Sequence, residues 1–384
     1  MSFVKPESNR FAQIKVLGIG GAGGNCVNTM VQENQIRGID FVAINTDAQA
    51  LLSNQASIKI QIGEKLTKGL GAGGDPEIGK KAAEESKEKI KKLIANSDMI
   101  FITGGEGGGT CTGAAPVIAQ IAKEMNILTV AVVTKPFHFE GYRRMASAKT
   151  GIAKLKEKVD TLIIVPNQKL LSTVDPKMSL IQAFKMVDSV LISGVKGIAD
   201  LITQPGLINL DFADVKSIIQ SAGSALMGIG TAKGENRGVE AAKKATASPL
   251  LETSIEGAQG ILFNISGDKN MTMKEIEEAS EIIFSQADPN ANIIFGATIN
   301  EEANNELSIT IIATGFNQNK NRLARLAKRE QPSGIISELP IEKKPFDEKD
   351  KVLFENEKID MEKDRGEEFE TPAFLRQGKK KLIN

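Results

Sequence analysis

Glycine-rich segments are the parts of this sequence best suited to bind a ligand. The first, residues 18–25, reads GIGGAGGN and lies between an apolar run and a helical pattern. Glycine lets the backbone approach a phosphate closely, and the free N–H groups at a helix start attract the anion. The segment also fits GxGxxG, with Asp47 as the acidic residue that would hold a ribose in a dinucleotide site. The pattern predicts phosphate binding, and a tight turn without ligand is the alternative.

Two more glycine segments follow. Residues 103–116, TGGEGGGTCTGAAP, also lie between a predicted strand and a predicted helix, with Pro116 expected in the opening helical turn. Ordering so many glycines costs conformational entropy, which favours a ligand-binding role over a plain turn. Two such turns on neighbouring strands suit a nucleotide with a long phosphate tail. Residues 68–76, KGLGAGGDP, predict a loop in which Asp75 caps the next helix. This loop either lines the terminal phosphate or is simply flexible.

An acidic pair, Asp211 and Asp214, is spaced i,i+3 at the start of a predicted helix, so both carboxylates can share one face. Two carboxylates beside a phosphate could orient a water molecule or help to hold a cation. Acidic residues also favour helix N-termini for capping and dipole reasons. The residues alone leave both interpretations open.

Composition excludes several classes of protein. Lys+Arg and Asp+Glu both number 48 and aromatic residues make up 4%, so we expect no nucleic-acid partner. The one histidine, His138, excludes a histidine-cluster metal site, and no metal site is predicted. Cys26 and Cys111 are too few for a disulfide framework and indicate reduced cytosolic thiols. We expect no signal peptide at residues 1–11 and no membrane span.

Apolar runs alternate with helical patterns in the first half, which predicts a parallel sheet covered on both faces. Phosphate sites in such sheets lie beyond the carboxyl ends of the strands. The predicted strands are residues 14–19, 40–44, 58–62, 99–102, 128–133 and 161–165, with helices at 25–33 and 116–124.

A long apolar helix over residues 180–201 follows and suits a spacer between domains. Beyond it, the sequence predicts a smaller α+β domain. Its helices are expected at 213–222, 239–245 and 273–285, and its strands at 259–265, 291–297 and 307–313. Residues 317–369 are rich in charged residues and proline, and we expect a disordered linker there.

Several separated motifs together resemble the FtsZ family, the bacterial tubulin-like cell-division GTPases. Residues 107–113, GGGTCTG, resemble the tubulin signature GGGTGTG. The supporting matches are NTDAQA at 45–50, TKPF at 134–137, FEG at 139–141, Arg144, VPN at 165–167 and NLDFADV at 209–215. The resemblance covers residues 11–316 and recurs in the tail.

The resemblance implies an α/β fold. It comprises a tubulin-like Rossmann-type GTPase domain with a parallel sheet and helices on both faces, a long central helix, a smaller α+β domain and a disordered C-terminal tail. The expected boundaries are a flexible N-terminus at 1–10, the GTP-binding domain at 11–178, the connecting helix at 179–203, the C-terminal domain at 204–316, the linker at 317–369 and a partner-binding peptide at 370–384.

The resemblance also implies a GTP or GDP site. Asp188 would read the guanine edge, Phe184 would lie against the base, and Glu140 and Arg144 would lie near the ribose and phosphates. The remaining expected nucleotide-binding residues are Gly20, Gly21, Ala22, Gly23, Gly24, Asn25, Asn45, Gly71, Ala72, Gly73, Gly107, Gly108, Gly109, Thr110, Cys111, Thr134 and Asn167.

Catalysis is expected to depend on a second subunit. The block with Asn209, Asp211 and Asp214 resembles the loop that one subunit inserts into the nucleotide site of the next. The resemblance therefore implies a GTPase that polymerises head to tail into the cell-division ring, with Mg²⁺ accompanying the triphosphate. Expected partners are further copies of the chain, division regulators, and membrane-tethering proteins bound through residues 370–384. The expected location is the cytoplasm, concentrated at mid-cell.

Two residues depart from the family pattern. Cys111 stands where glycine is usual, so its φ is expected to be negative and its thiol buried and inert. Glu106 stands where an apolar residue is common, and we expect its carboxylate to point away from the ligand. Two other functions remain as alternatives: a nicotinamide-dependent oxidoreductase using residues 18–23 and Asp47, and a filament protein that binds nucleotide without cleaving it.

Overall fold

A computed structural model describes residues 12–316 apart from 33–35, 37, 172–177, 204–209, 249–254, 301–302 and 304. The described residues all belong to one compact unit. The predictions for the N-terminus at 1–10, for Asn209, for the linker at 317–369 and for the peptide at 370–384 lie outside the described residues.

Six parallel strands form the first half of the sheet, as the apolar runs predicted. The spatial order is β3-β2-β1-β4-β5-β6. Near-continuous apolar runs suit such strands because both faces of a parallel sheet are covered. The strands are β1 (Ile14–Ile19), β2 (Ile39–Asn45), β3 (Ile58–Gln61), β4 (Met99–Gly105), β5 (Leu128–Lys135) and β6 (Thr161–Pro166).

Helices cover both faces of these strands, which confirms the predicted layers. Neighbouring residues of β1 enter opposite cores, Val16 with Phe101 on one side and Leu17 with Ile102 on the other. The helices are α1 (Gly20–Gln32), α2 (Ala48–Leu52), α3 (Glu64–Thr67), α4 (Pro76–Glu85), α5 (Lys87–Ile94), α6 (Thr110–Glu124), α7 (Tyr142–Lys156) and α8 (Asn167–Leu171), with a 3₁₀ turn at His138–Glu140.

Two helices begin earlier than the sequence predicted. Helix α1 begins at Gly20 rather than residue 25, and α6 begins at Thr110 rather than Pro116. The prediction that Pro116 lies in an opening turn is therefore wrong, because it lies inside α6. Glycine and proline are poor helix formers, but the buried apolar face of α6 packs against the sheet and holds the helix together.

The second half continues the same sheet. Strand order extends from β6 through β7 and β10 to β8 and β9, with β8 and β9 parallel and β10 antiparallel to both β7 and β8. The elements are α9 (Leu180–Thr203), α10 (Phe212–Ile219), β7 (Gly223–Lys233), α11 (Arg237–Thr246), β8 (Gly260–Gly267), α12 (Met273–Phe284), β9 (Asn292–Ile299) and β10 (Glu306–Thr314).

Strand β7 joins the two halves, and the sequence did not predict it. Its first residues pair with β6, Gly223 opposite Thr161, and its remainder pairs with β10. Glycines at 228 and 230 weaken the strand pattern. A Cβ added at either glycine would collide with a carbonyl oxygen of α11, so the close packing of α11 requires glycine there.

The long helix α9 spans 24 residues and contacts α1, β5, β6, β8 and β10. Gly197 permits close contact with β10, since an added Cβ would lie 2.6 Å from Thr310 Cγ2. The predicted apolar helix is confirmed. Among the described residues, we find no helix with the length and apolarity that crossing a bilayer requires.

Candidate functional site

The glycine segments meet at the carboxyl edge of the parallel strands. Strands β1 and β4 are neighbours in register, with Ile19 opposite Gly104, so the loops that follow them lie side by side. The Thr46 and Thr110 hydroxyl oxygens lie 2.7 Å apart, which links the β2 end to the start of α6. The third segment joins them because the Gly71 N–H donates to the Thr46 carbonyl oxygen at 3.2 Å.

An open cavity of about 750 Å³ lies at this edge. Six predicted site residues line it, namely Gly73, Gly107, Gly108, Gly109, Glu140 and Arg144, together with residues at the start of α4 and on α7. The lining residues are Gly73, Gly74, Asp75, Pro76, Gly107, Gly108, Gly109, Glu140, Arg143, Arg144 and Ser147. Glycine backbone and two arginines dominate this lining, which suits phosphate oxygens.

We refer to residues 105–109 as the phosphate loop. Gly107 has φ +102°, and a Cβ there would lie 2.7 Å from the Arg144 carbonyl oxygen. An added Cβ at Gly109 would lie 2.8 Å from Ala72 Cβ and 2.9 Å from the Asp75 nitrogen. Glycine is therefore required at both positions by conformation or by close approach.

Neighbouring elements fix the phosphate loop in place. The Glu106 N–H donates to the Thr134 carbonyl oxygen at 3.0 Å, and the Gly107 N–H donates to Thr112 Oγ1 at 2.8 Å. Thr134, a predicted site residue, is buried and supplies this backbone anchor. Preorganised loops lose less entropy when they bind an anion.

Helix α4 packs directly on α6 beneath the cavity. A Cβ at Gly79 or Gly113 would collide with backbone of the opposing helix. The predicted cap is confirmed, because Asp75 Oδ1 accepts from the Glu77 N–H at 2.9 Å. This cap fixes the third glycine segment, whose Ala72 is buried against Gly109.

The first glycine segment lines a smaller cavity of about 80 Å³. Predicted residues in that lining are Gly20, Gly21, Gly24, Asn25 and Asn45. Asn45 Oδ1 accepts from the Thr46 and Asp47 N–H groups, at 2.8 and 3.3 Å, and so shapes the end of β2.

Two other residues of that segment serve packing. An added Cβ at Gly23 would lie 2.5 Å from the Thr103 carbonyl oxygen, so α1 approaches β4 closely there. The Ala22 Cβ faces Gly105. Asp47, the ribose ligand of the dinucleotide interpretation, caps α2 by accepting from the Gln49 and Ala50 N–H groups.

Aromatic rings lie near the other end of the site. Phe184 on α9 is 43% exposed and makes an edge-on contact with Phe137, with ring centroids 5.6 Å apart. Asp188 lies one helical turn further along α9. Burial raises the pKa of Asp188 to about 6. Asn167 at the start of α8 is buried, and its Oδ1 has no hydrogen-bond partner among the described residues.

A salt bridge connects the 3₁₀ turn to α7. Arg144 Nη1 lies 3.0 Å from Glu140 Oε2, while Glu140 Oε1 accepts from the Phe137 N–H at 2.9 Å. Arg143 and Ser147 also line the cavity, although neither was predicted from the sequence. The signal was the helical spacing: Arg143 and Ser147 are four residues apart, so they share a face of α7.

Both residues that depart from the family pattern are buried. Cys111 is buried in α6 and has no positive φ, and burial together with Glu106 raises the pKa of its thiol well above its usual value. Its side chain packs against Gly104 beneath the loop. Glu106 is buried, and its side chain is not part of the cavity lining.

The acidic pair lies at the opposite edge of the sheet. Helix α9 ends at Thr203, beside Gly38 just before β2 begins, and α10 ends at Ile219, whose carbonyl oxygen accepts from Thr161 at the start of β6. Asp211 and Asp214, at the start of α10, thus lie in sequence between two points at the amino ends of the strands.

Asp211 and Asp214 form a reciprocal helix cap. The Asp214 N–H donates to Asp211 Oδ1 at 2.7 Å, and the Asp211 N–H donates to Asp214 Oδ2 at 3.4 Å. Both side chains remain partly free, since each carboxylate has a second oxygen and several acceptor sites. The structure does not bring them to the cavity of the same chain.

No cluster of three or more His, Cys, Asp or Glu side chains suited to a metal occurs in the part of the chain that the structure describes. The cavity lining fits phosphate oxygens rather than a dedicated metal cage.

Comparison with known proteins agrees with this geometry. Residues 13–175 match the Tubulin/FtsZ family, GTPase domain, and residues 223–317 match the FtsZ family, C-terminal domain. A solved FtsZ dimer, empty, from M. jannaschii is 50% identical; the match covers 80% of this chain and 89% of that one, with a TM-score of 0.77.

More distant structures share the fold. CetZ1 from Haloferax volcanii, a GDP-bound monomer, is 23% identical with a TM-score of 0.68, and the match covers 82% of this chain and 99% of that one. CetZ2 from the same organism, a GTPγS-bound protofilament, is 20% identical with a TM-score of 0.62, covering 83% and 100%.

Proposed function

The chain belongs to the Tubulin/FtsZ family of GTPases, and we propose that it polymerises head to tail, each copy completing the hydrolytic site of its neighbour. The filaments would form the cell-division ring. One observation carries the proposal: the phosphate cavity lies at the carboxyl edge of the sheet, whereas Asp211 and Asp214 lie at the amino edge.

The distance between these edges supports catalysis in trans. Helix α9 begins near the aromatic rings of the nucleotide site and ends at the amino edge, and its 24 residues span about 36 Å at 1.5 Å per residue. A side chain of Asp211 or Asp214 cannot cross that length. A second copy stacked along the same axis would bring its amino edge to this cavity.

Each part of the site then has a defined task. Backbone amides of the phosphate loop and of the first glycine segment bind the phosphates, and Arg143 and Arg144 offset their charge. The carboxylate of Asp188 accepts from the guanine N1–H and 2-amino group, with Phe184 against the ring. Asn167, with its unpartnered buried oxygen, is a candidate ribose contact.

Hydrolysis needs an oriented water molecule. Asp211 and Asp214 of the adjoining copy would accept hydrogen bonds from that water, and we include Asn209 in the same role. Mg²⁺, held by phosphate oxygens of the nucleotide and by water molecules, would offset charge on the triphosphate. We propose that the remaining residues implied by the family resemblance also contact the nucleotide.

Relatives support self-association in particular. The M. jannaschii FtsZ structure is a dimer, and the CetZ2 structure is a protofilament. We also propose the domain boundaries given above, a cytoplasmic location concentrated at mid-cell, and binding of membrane-tethering proteins and division regulators, the former through residues 370–384.

Phosphate release measured against protein concentration, alongside light scattering, tests the proposal. We expect release with GTP to rise steeply above a threshold concentration at which scattering also appears, with GDP giving neither. A filament protein that binds without cleaving would scatter light and release no phosphate.

Hydrolysis by isolated subunits would contradict catalysis in trans. It would appear as phosphate release proportional to protein concentration below the scattering threshold. The oxidoreductase alternative is tested separately, because NAD rather than GTP would then raise the melting temperature.

A further inference from the structure

A carboxyl group is buried directly beneath the phosphate loop. Glu106 is 2% exposed, and its Oε1 accepts from the Cys111 thiol, with Sγ 3.9 Å away. Its Oε2 has no hydrogen-bond partner among the described residues. A buried carboxylate with so few donors is unusual, because an unpaired charge is costly to bury.

The surrounding backbone is shaped around this carboxyl group. The Glu106 N–H donates to the Thr134 carbonyl oxygen, which fixes the backbone of this residue directly after β4. On α7, Gly151 leaves the necessary room, since an added Cβ would lie 2.5 Å from Glu106 Oε2. The carboxyl group is thus enclosed between α6 and α7.

Few charges face the group from the elements packed around it. Helix α6 presents the Cys111 thiol, whose own raised pKa keeps it neutral, and β5 presents backbone. On α7, Lys149 is the charged residue nearest to Gly151 in sequence and is exposed, and Arg144 and Lys154 are exposed and lie beside Glu140 and Glu77.

These surroundings favour the neutral acid. Burial raises the pKa of Glu106 to about 7, and the side chains of Thr112 and Cys111 partly oppose the shift. Near neutral pH, both protonation states are therefore populated.

We propose that nucleotide binding by this chain is coupled to protonation of Glu106, the phosphate loop holding its ligand more tightly when the carboxyl group beneath it is neutral. The inference rests on the proposed function, because it takes a nucleoside diphosphate or triphosphate as the ligand. Glu106 acts as a positioning residue through the loop and makes no contact with the nucleotide.

The direction of the coupling follows from charge. Ligand phosphates next to the loop repel an ionised Glu106, so the bound state raises the pKa of this carboxyl group further. Binding then takes up a proton. Affinity is independent of this group well below pH 7, falls as pH rises through the free-state pKa, and levels off once Glu106 is ionised in both states.

The test compares GDP affinity of the wild type and Glu106→Gln from pH 6 to pH 8.5. In the ratio of the two dissociation constants, the pH dependence that comes from the GDP phosphates and from Asp188 cancels, because both proteins share it. We expect equal affinities at pH 6 and about five- to tenfold tighter binding by Glu106→Gln at pH 8.5. Glu88→Gln, at a 78% exposed position on α5, is the matched control and should follow the wild type throughout.

A ratio that stays constant across pH would overturn the coupling, whatever its value, because a merely structural effect does not follow the ionisation of one group. Failure of the wild type to bind GDP at any pH would overturn the proposed function as well. These two failures are distinguishable in one titration series.

Proton uptake by the wild type provides a second measurement that needs no variant. Calorimetric GDP binding at pH 7.5, in two buffers of different ionisation enthalpy, should show uptake of about half a proton. Absence of uptake would overturn the proposal even if Glu106→Gln fails to fold.

Discussion

The two edges of the sheet present opposite kinds of chemistry. At the carboxyl edge, the cavity is lined mainly by glycine backbone and by Arg143 and Arg144, and no other residue could replace the glycines at 107 and 109. At the amino edge, the groups proposed to act on a neighbour's nucleotide are the side chains of Asp211 and Asp214, which also cap their own helix. Binding an anion needs N–H groups, whereas activating water needs carboxylates, and like charges repel carboxylates from phosphates. Because the two kinds of group lie at opposite edges of the sheet, one chain can carry both the anion-binding N–H groups and the carboxylates.

The largest expected effect is the loss of binding in Gly107→Val. A β-branched side chain at φ +102° is strained, and its Cβ would lie 2.7 Å from the Arg144 carbonyl oxygen. We expect GTP affinity to fall more than about a hundredfold. Fluorescent-nucleotide titration measures it, with Gly234→Val as the control, since Gly234 has φ +97°, lies outside the cavity lining, and an added Cβ there meets no atom within 4 Å. Equal losses in both variants would show that loop geometry is not the cause.

Asp214→Ala separates the two edges directly. We expect GTP binding to stay within about twofold of wild type and turnover per subunit to fall about a hundredfold, as when a group that orients water is lost. Mixing purified Asp214→Ala protein with purified Gly107→Val protein sharpens the comparison. A filament of the two variants retains some sites made from one intact edge of each, so mixing them should restore part of the turnover. Undiminished turnover in Asp214→Ala alone would remove the acidic pair from catalysis.

Protonation of Asp188 should weaken guanine binding on the acid side. Burial raises the pKa of Asp188 to about 6, and only the ionised carboxylate can accept two hydrogen bonds from guanine. Binding therefore releases a proton, and GDP affinity should fall several-fold from pH 7 to pH 5. Asp188→Asn should bind GDP weakly, and its GDP affinity should not fall between pH 7 and pH 5. The variant should favour xanthosine diphosphate, whose 2-carbonyl oxygen accepts a hydrogen bond from the side-chain amide introduced at position 188. If GDP affinity of Asp188→Asn still falls from pH 7 to pH 5, the fall would be due to titration of the GDP phosphates instead.

The smallest expected effect comes from a helix cap with no catalytic task. Thr272 and Glu275 cap α12 in the same reciprocal way as Asp211 and Asp214 cap α10. Thr272→Ala should lower the free energy of unfolding by about 1 kcal/mol and leave turnover unchanged. Denaturant unfolding and phosphate release measure the two quantities. Reduced turnover here would mean that the loss in Asp214→Ala reflects a weakened cap.

The sequence determined the parallel strands, the apolar helix α9 and the phosphate-binding glycine segments. Those features depend on local patterns: apolar runs for buried strands, and glycines between strand and helix for anion binding. Strand β7 could not be predicted, because its glycines at 228 and 230 serve contact with α11, which is remote in sequence. The starts of α1 and α6 were missed for the same reason, since packing overrides helix propensity.

Only the tertiary structure decided which chemical groups share a site. The sequence shows two carboxylates and several glycine loops, but their placement at opposite edges depends on the path of α9 across the sheet. It shows Glu106 as an unexpected acid, but burial against Gly151 is what raises its pKa to about 7. Local patterns specify elements because they involve neighbouring residues, whereas burial and charge depend on distant segments that folding brings into contact.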